Sequence, residues 1–123
     1  MFPTLSGKTL YLQIYPDRFL IRDTNEGKAA EITSPTPFSH PRTLLGNFTE
    51  AEKTLKQGLN KIGKAFISPS VLIHPMERIE GGLTQIEERA FLELVVGCGA
   101  KRVKLWTGRP LLDHEVVAKL KEK

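Results

Sequence analysis

Few residue patterns in this chain could support catalysis by themselves. Residues 6–9 (SGKT) end like a phosphate-binding P-loop, in which backbone N–H groups and a lysine hold nucleotide phosphates. The complete motif needs a glycine five residues before Gly7, and Phe2 stands at that position. We therefore expect residues 6–9 to form a turn that enters the first strand, and no phosphate-binding loop.

Histidine and cysteine side chains are the other candidates for chemistry. His40, His74 and His114 are scattered, and no two of them have the spacing of metal ligands on one helix. We expect solvated or hydrogen-bonded histidines, with a zinc site formed by tertiary convergence as an alternative. Cys98 stands between two glycines, and no base can be assigned to it, so we interpret it as a small packing residue. The sequence thus predicts no catalytic, metal-binding or cofactor-binding residues.

Composition indicates one ordinary globular domain over residues 1–123. Hydrophobic residues make up 40% and charged residues 26% of the chain, and the formal net charge is +4. This modest excess permits an acidic partner but does not require nucleic acid. No apolar run approaches the ~20 residues of a membrane helix, and the first residues lack a signal-peptide pattern. We therefore expect a cytoplasmic protein without integral membrane association.

The elements that must position these residues begin with strands. Residues 10–15 alternate in the way that a strand does, and a second β-rich run covers residues 18–22 after a Pro16–Asp17 turn. The turn-forming residues 23–27 lead to a third strand at residues 29–33. This pattern predicts a three-stranded antiparallel meander, and the proline-rich residues 34–48 predict a connecting loop.

Two helix starts are marked by capping boxes, TEAE at residues 49–52 and TQIE at residues 84–87. Buried strands are predicted at residues 70–74 and 103–106, and a last helix at residues 111–121. The order is therefore β-β-β-α-β-α-β-α, and its strand–helix–strand crossovers should be parallel and right-handed. We predict an α/β fold with a mixed sheet covered by helices on both faces, which is the ribonuclease H-like topology. The apolar residues expected to face the core from the three helices are Ala51, Leu55, Leu59, Ile62 and Phe66; Ile86, Ala90, Phe91, Leu94 and Val95; and Leu112, Val116, Val117 and Leu120.

Three stretches of the second half resemble the bacterial rod-shape-determining actin homologues (MreB). They are SPSVLI at residues 68–73, LTQIEERA at residues 83–90 and GCGAKRV at residues 97–103. The resemblance is close from Thr49 to Pro110, whereas the first third fits the family's opening hairpin only by pattern. It implies that the whole chain corresponds to subdomain IA of an actin-like molecule, without the inserted subdomain IB or the second half.

The same resemblance implies that nucleotide chemistry is lost. Gln13 stands where the family has a metal-facing carboxylate, and Tyr15 and Pro16 replace the small residues of its first phosphate loop. Tyrosine obstructs the approach of a phosphate, and proline has no N–H to donate to it. Thr107 stands where the family has the glutamate linked to hydrolysis, and threonine cannot act as a carboxylate base. A nuclease is disfavoured as well, because Gln13 and His74 on the central strands are not ligands for two metal ions.

The candidate interaction surface is a basic stretch near the end of the chain. Its functional interpretation is contact with an acidic partner or nucleic acid, and its alternative is a solvated strand edge that charge protects against sheet addition. The residue types alone favour the solvated strand edge over a binding surface. The residues of this surface are Lys101, Arg102, Lys104, Trp106 and Arg109.

The leading hypothesis is a non-catalytic, stand-alone actin-like domain that acts by protein–protein interaction in a bacterial cell-shape or cytoskeletal context. Its partner would be an actin-like filament protein or a second copy of the chain. The second hypothesis is a nucleic-acid-binding module that uses the basic edge around Lys101–Trp106. An enzyme with a cryptic metal site is the third.

Overall fold

Three strands come first along the chain, and helices and strands alternate after them. The computed structural model describes residues 8–62 and 68–122. Within them lie β1 Thr9–Tyr15, β2 Arg18–Asp23, β3 Ala29–Thr33, α1 Phe48–Ile62, β4 Ser70–Pro75, α2 Gln85–Gly97, β5 Arg102–Leu105 and α3 Asp113–Lys121.

The strands form one five-stranded mixed sheet in the order β3-β2-β1-β4-β5. The meander β1-β2-β3 is antiparallel, whereas β1 pairs with β4 and β4 with β5 in parallel. Leu12 in the central strand lies opposite Ile21 on one side and Ile73 on the other. The α/β class and the mixed sheet are therefore confirmed, and β5 is one of the two edges.

Helices cover both faces of the sheet. The larger core packs α1 and α2 against one face, where Leu55, Phe91 and Leu94 are buried with Leu12 and Ile73. The smaller core packs α3 against the other face and consists of Tyr11, Leu72, Leu111, Val116 and Leu120, with Trp106 beside it. Among the described residues, none of these helices is long and apolar enough to cross a bilayer.

The β1–β2 turn anchors the long loop that follows β3. Pro16 and Asp17 close the hairpin, and Asp17 has a φ of 60°, as the third residue of a type II turn requires. The Asp17 carboxylate accepts hydrogen bonds from the backbone N–H groups of Phe38 and Ser39 at 2.9 and 2.7 Å. This places the Phe38 ring in a stack with Phe19, with ring centroids 4.9 Å apart, so the loop contributes to the core.

The first predicted capping box is wrong, and the second is confirmed. Helix α1 begins at Phe48, and the Asn47 side chain accepts from the N–H of Glu50, so the cap lies before Thr49. At α2, Thr84 and Glu87 exchange both hydrogen bonds of a capping box.

Two residues predicted to face the core are exposed. Ile86 is 82% exposed at the start of α2, and Leu112 is 64% exposed just before α3. Leu111 is buried instead of Leu112, because the chain is still extended there and successive side chains alternate. Phe66 and the Ser6–Gly7 part of the P-loop-like motif lie outside the described residues.

Candidate functional site

The outer side of β5 carries no paired strand among the described residues. The N–H of Trp106 donates to the carbonyl of Ile73 on β4 at 2.9 Å. Backbone groups alternate in direction along a parallel strand, so Lys104 also faces β4. Val103 and Leu105 therefore direct their N–H and C=O groups away from the sheet. We call residues 101–109 the β5 edge.

A groove runs along this edge beside α2. It has a volume of about 310 Å³ and is open to solvent. The side chains of Val103 and Leu105 are half-buried against the larger core, on the sheet face that α2 covers. The residues that line the groove are Leu83, Glu88, Leu92, Val103, Lys104, Leu105 and Thr107.

Three of the five predicted interaction residues are cations on or next to β5. Lys101 and Arg102 are exposed, and Lys104 is half-buried. Within residues 8–62 and 68–122, none of them forms an ion pair with a carboxylate. The Arg102 guanidinium donates to the backbone carbonyl of Glu122 at 3.3 Å. Strand alternation places the side chains of Arg102 and Lys104 on the α3 face, while Lys104 also borders the groove.

Trp106 and Arg109 serve the local structure of the loop before α3. The Trp106 indole N–H donates to the carbonyl of Arg109 at 2.9 Å, and the Lys119 ammonium lies 4.2 Å from the ring centroid. A Cβ added to Gly108 would lie 2.7 Å from the ring, so the backbone packs closely against it. The ring is therefore already covered by its own chain, which leaves little of it for stacking on a base.

Arg109 is bound to Glu115 on α3. Its two terminal nitrogens donate to both carboxylate oxygens of Glu115. These bonds from Arg109, with one from the N–H of Leu112, lower the pKa of Glu115 to about 2. The ion pair between Arg109 and Glu115 therefore stabilises the start of α3.

A buried polar network holds the same loop against the centre of the sheet. His74 Nε2 contacts the carbonyl of Gly108 at 3.0 Å, and its Nδ1 contacts the Tyr11 hydroxyl at 2.7 Å. A carbonyl only accepts, so Nε2 carries the proton, and Nδ1 accepts from Tyr11. The Tyr11 oxygen in turn accepts from the N–H of Leu111 at 3.1 Å. With His74 neutral, every polar atom in this chain of bonds has a partner.

Burial sets the protonation of the Tyr11–His74 network. Burial lowers the pKa of His74, against the opposing effect of its bond to Gly108, and burial raises the pKa of Tyr11. The sequence prediction of a hydrogen-bonded histidine thus fits His74. The partner Tyr11 was missed, although a histidine in a run of apolar strand residues signals that a buried polar partner is needed.

The other candidate residues are engaged elsewhere. Lys8 of the P-loop-like motif forms an ion pair with Asp23 at 2.9 Å. The Gln13 amide contacts the Met76 sulfur at 3.5 Å, and Thr107 is exposed at the groove. Cys98 is half-buried, and burial raises the pKa of its thiol to about 11, so the thiol is protonated at neutral pH.

Metal-ligating side chains do not gather in the part of the chain that the structure describes. No group of three or more histidine, cysteine or carboxylate side chains lies close enough there to hold an ion. His40 accepts from the N–H of Arg42 in the loop after β3, and His114 is exposed on α3. The three histidines therefore lie in separate surroundings.

Comparison with known proteins identifies a relative of unestablished function. No family model matches the chain. It is 29% identical over 126 residues to the uncharacterized protein YjaA of Escherichia coli (strain K12), an alignment that covers 93% of this chain and 98% of that protein. The chain is thus similar to YjaA over nearly the whole length of both proteins.

Proposed function

We propose that the chain is a non-catalytic protein-binding module and that the β5 edge is its docking surface. One observation carries this proposal: within residues 8–62 and 68–122, β5 is an edge strand with no strand on its outer side, it borders a groove lined by both apolar and polar side chains, and its cations pair with no carboxylate. Exposed backbone donors and acceptors are a template for an added strand, and flanking side chains give the addition its specificity.

We also propose that the chain is related to the rod-shape-determining actin homologues. The three stretches that resemble the rod-shape actin homologues fall on consecutive parts of the fold. Residues 68–73 enter β4, residues 83–90 begin α2, and residues 97–103 join α2 to β5. The alternation of elements and the strand order support a ribonuclease H-like subdomain of that superfamily. The proposed context is bacterial cell shape, with an actin-like filament protein as the partner.

A binding experiment with matched baits tests the docking surface. The intact protein and its Lys104→Glu variant are immobilised and exposed to a bacterial extract, with Lys56→Glu on α1 as the charge-matched control. We expect proteins that the intact protein and Lys56→Glu retain and Lys104→Glu loses. If the three baits retain the same proteins, the β5 edge is not the docking surface.

Two further measurements test the rest of the proposal. Cosedimentation with purified filaments of a rod-shape actin homologue should pellet the protein with the filaments, and a protein that stays in the supernatant would refute that partner. Calorimetric titration with ATP and magnesium should show no heat of binding. Binding at micromolar affinity would overturn the proposed loss of nucleotide chemistry.

Nucleic acid is the second candidate partner, because Lys101, Arg102 and Lys104 pair with no carboxylate in the described part of the chain and could contact phosphates. Such binding would depend on phosphate contacts, since Trp106 is covered, and it would weaken steeply with added salt. Filter binding of DNA and RNA at low salt tests it. Retention that falls with salt supports this candidate, and no retention at low salt removes it.

A further inference from the structure

The direction of the backbone at the β5 edge determines how a partner can add to the sheet. Val103 and Leu105 direct their N–H and C=O groups outward, whereas Trp106 bonds to β4. β5 has four residues, which span roughly 13 Å. A partner strand of about five residues would satisfy these groups by pairing along β5.

The two faces of β5 then dictate the side chains of that partner. Residues that point to the α2 face would enter the groove beside Val103, Leu105 and Leu92, where apolar side chains gain burial, and the Glu88 carboxylate in the same groove disfavours an acidic residue there. Residues that point to the α3 face would stand beside Arg102 and Lys104, where carboxylates gain opposite-charge cross-strand pairs. Side chains alternate along a strand, so the matching sequence alternates apolar and acidic residues.

A second copy of β5 does not meet these requirements. In a twofold antiparallel pair, residues directly opposite each other share a face. The cations Arg102 and Lys104 would then gather across the junction, and like charges directly opposite destabilise a strand pair. The basic face of β5 therefore disfavours self-pairing and favours an acidic strand.

We propose that the β5 edge binds an extended peptide segment of a partner protein in which apolar and acidic residues alternate, and that this segment adds as a sixth strand. This inference rests on the proposed function, because it names the partner chemistry of the same surface. The occupant is a protein segment in β conformation, and neither a helix nor a nucleic acid.

Fluorescence polarisation with defined peptides tests the inference. The probe is a fluorescein-labelled eight-residue peptide that alternates Glu and Val. One control peptide contains the same residues in two blocks, and a second control alternates Lys and Val. We expect saturable binding of the Glu–Val probe alone, weakened about tenfold by Lys104→Glu and unchanged by Lys56→Glu. Amide hydrogen exchange should slow at Val103 and Leu105 when the probe is bound.

The outcomes separate this inference from the proposed function. Equal binding of the block-order peptide, or unchanged binding to Lys104→Glu, would overturn the alternating pattern. No binding of the probe also overturns it. If the intact bait still captures proteins that Lys104→Glu loses, only the strand inference is refuted. If that capture is absent too, the proposed function fails with it.

A backbone variant gives an independent check. Val103→Pro removes an N–H that points outward and breaks no bond to β4, so the fold should persist and probe binding should be lost. Circular dichroism verifies the fold, and the Lys104→Glu measurement decides the question if this variant does not fold. Full retention of probe binding by folded Val103→Pro would refute strand addition.

Discussion

Replacing Tyr11 with phenylalanine isolates the contribution of the buried Tyr11–His74 network to stability. The variant keeps the ring that packs between the sheet and α3 and removes only the hydroxyl. Two groups then lose their partners, His74 Nδ1 and the N–H of Leu111. Tyr11, His74 and Leu111 are 3%, 1% and 8% exposed, so water cannot replace the hydroxyl without a rearrangement of the loop.

The size of the effect follows from these two orphaned groups. A buried donor or acceptor without a partner costs about 1–3 kcal/mol, and phenylalanine recovers part of this cost because it buries no hydroxyl. We therefore expect Tyr11→Phe to lower the free energy of unfolding by about 2–4 kcal/mol. That is a large share of the roughly 5–15 kcal/mol by which a domain of this kind is stable.

Urea unfolding measured by circular dichroism and by the fluorescence of Trp106 is the assay. Trp106 is the single tryptophan of the chain and lies in the loop that the network holds, so its signal reports on that loop. Tyr15→Phe is the matched control, because Tyr15 lies half-buried on the same strand and its hydroxyl has no hydrogen-bond partner within the described residues. A loss below about 0.5 kcal/mol, equal to that of Tyr15→Phe, would show that the network does not stabilise the fold.

Three further predictions follow from other parts of the fold. Burial lowers the pKa of His74 from its ordinary value of 6.5, so the unfolded chain binds a proton more readily than the folded one. The free energy of unfolding should fall as pH drops below 6.5, and His74→Gln should flatten this dependence in urea titrations while His114→Gln keeps it. Gly58→Ala should destabilise the protein by about 1–2 kcal/mol in urea unfolding, because the added Cβ would lie 2.7 and 2.8 Å from the side chains of Ile21 and Ile32 on β2 and β3. A gain in stability would show that helix propensity outweighs this contact. Cys98 should react with Ellman's reagent at neutral pH only after unfolding, since burial raises its pKa to about 11, and a fast reaction of the native protein would contradict that burial.

Local patterns in the sequence predict most of the fold. Strand alternation and turn residues locate the meander, and glycines 97 and 99 locate the end of α2. The first capping box misleads because Asn47, two residues earlier, caps α1 by accepting from the N–H of Glu50, so Thr49 already lies inside the helix. Gly58 shows again that local patterns do not predict tertiary contacts. Helix propensity predicts that this glycine weakens α1, whereas its close packing against Ile21 and Ile32 is visible only in the folded structure.

Of the candidate site, the sequence predicts only where the basic residues lie. The sequence places Lys101, Arg102 and Lys104 together beside a strand, and the structure leaves all three unpaired within its described part. The predicted interaction surface also includes Trp106 and Arg109, because they are close to these cations in the sequence. Their contacts with Lys119 and Glu115 involve α3, so only tertiary structure shows that they stabilise the loop. The groove lies between α2 and β5, so the sequence of neither element alone predicts it.

The β5 edge has features that protection of a sheet edge by charge does not need. Protection needs only a short strand and lysines facing solvent, and both features are present. It does not require apolar side chains beside a groove of about 310 Å³. It also does not require the cations to occupy one face while Val103 and Leu105 occupy the other. In the proposed docking mode, the basic face of β5 disfavours a second copy of β5 and admits an acidic strand, so protection and docking are compatible properties of one edge.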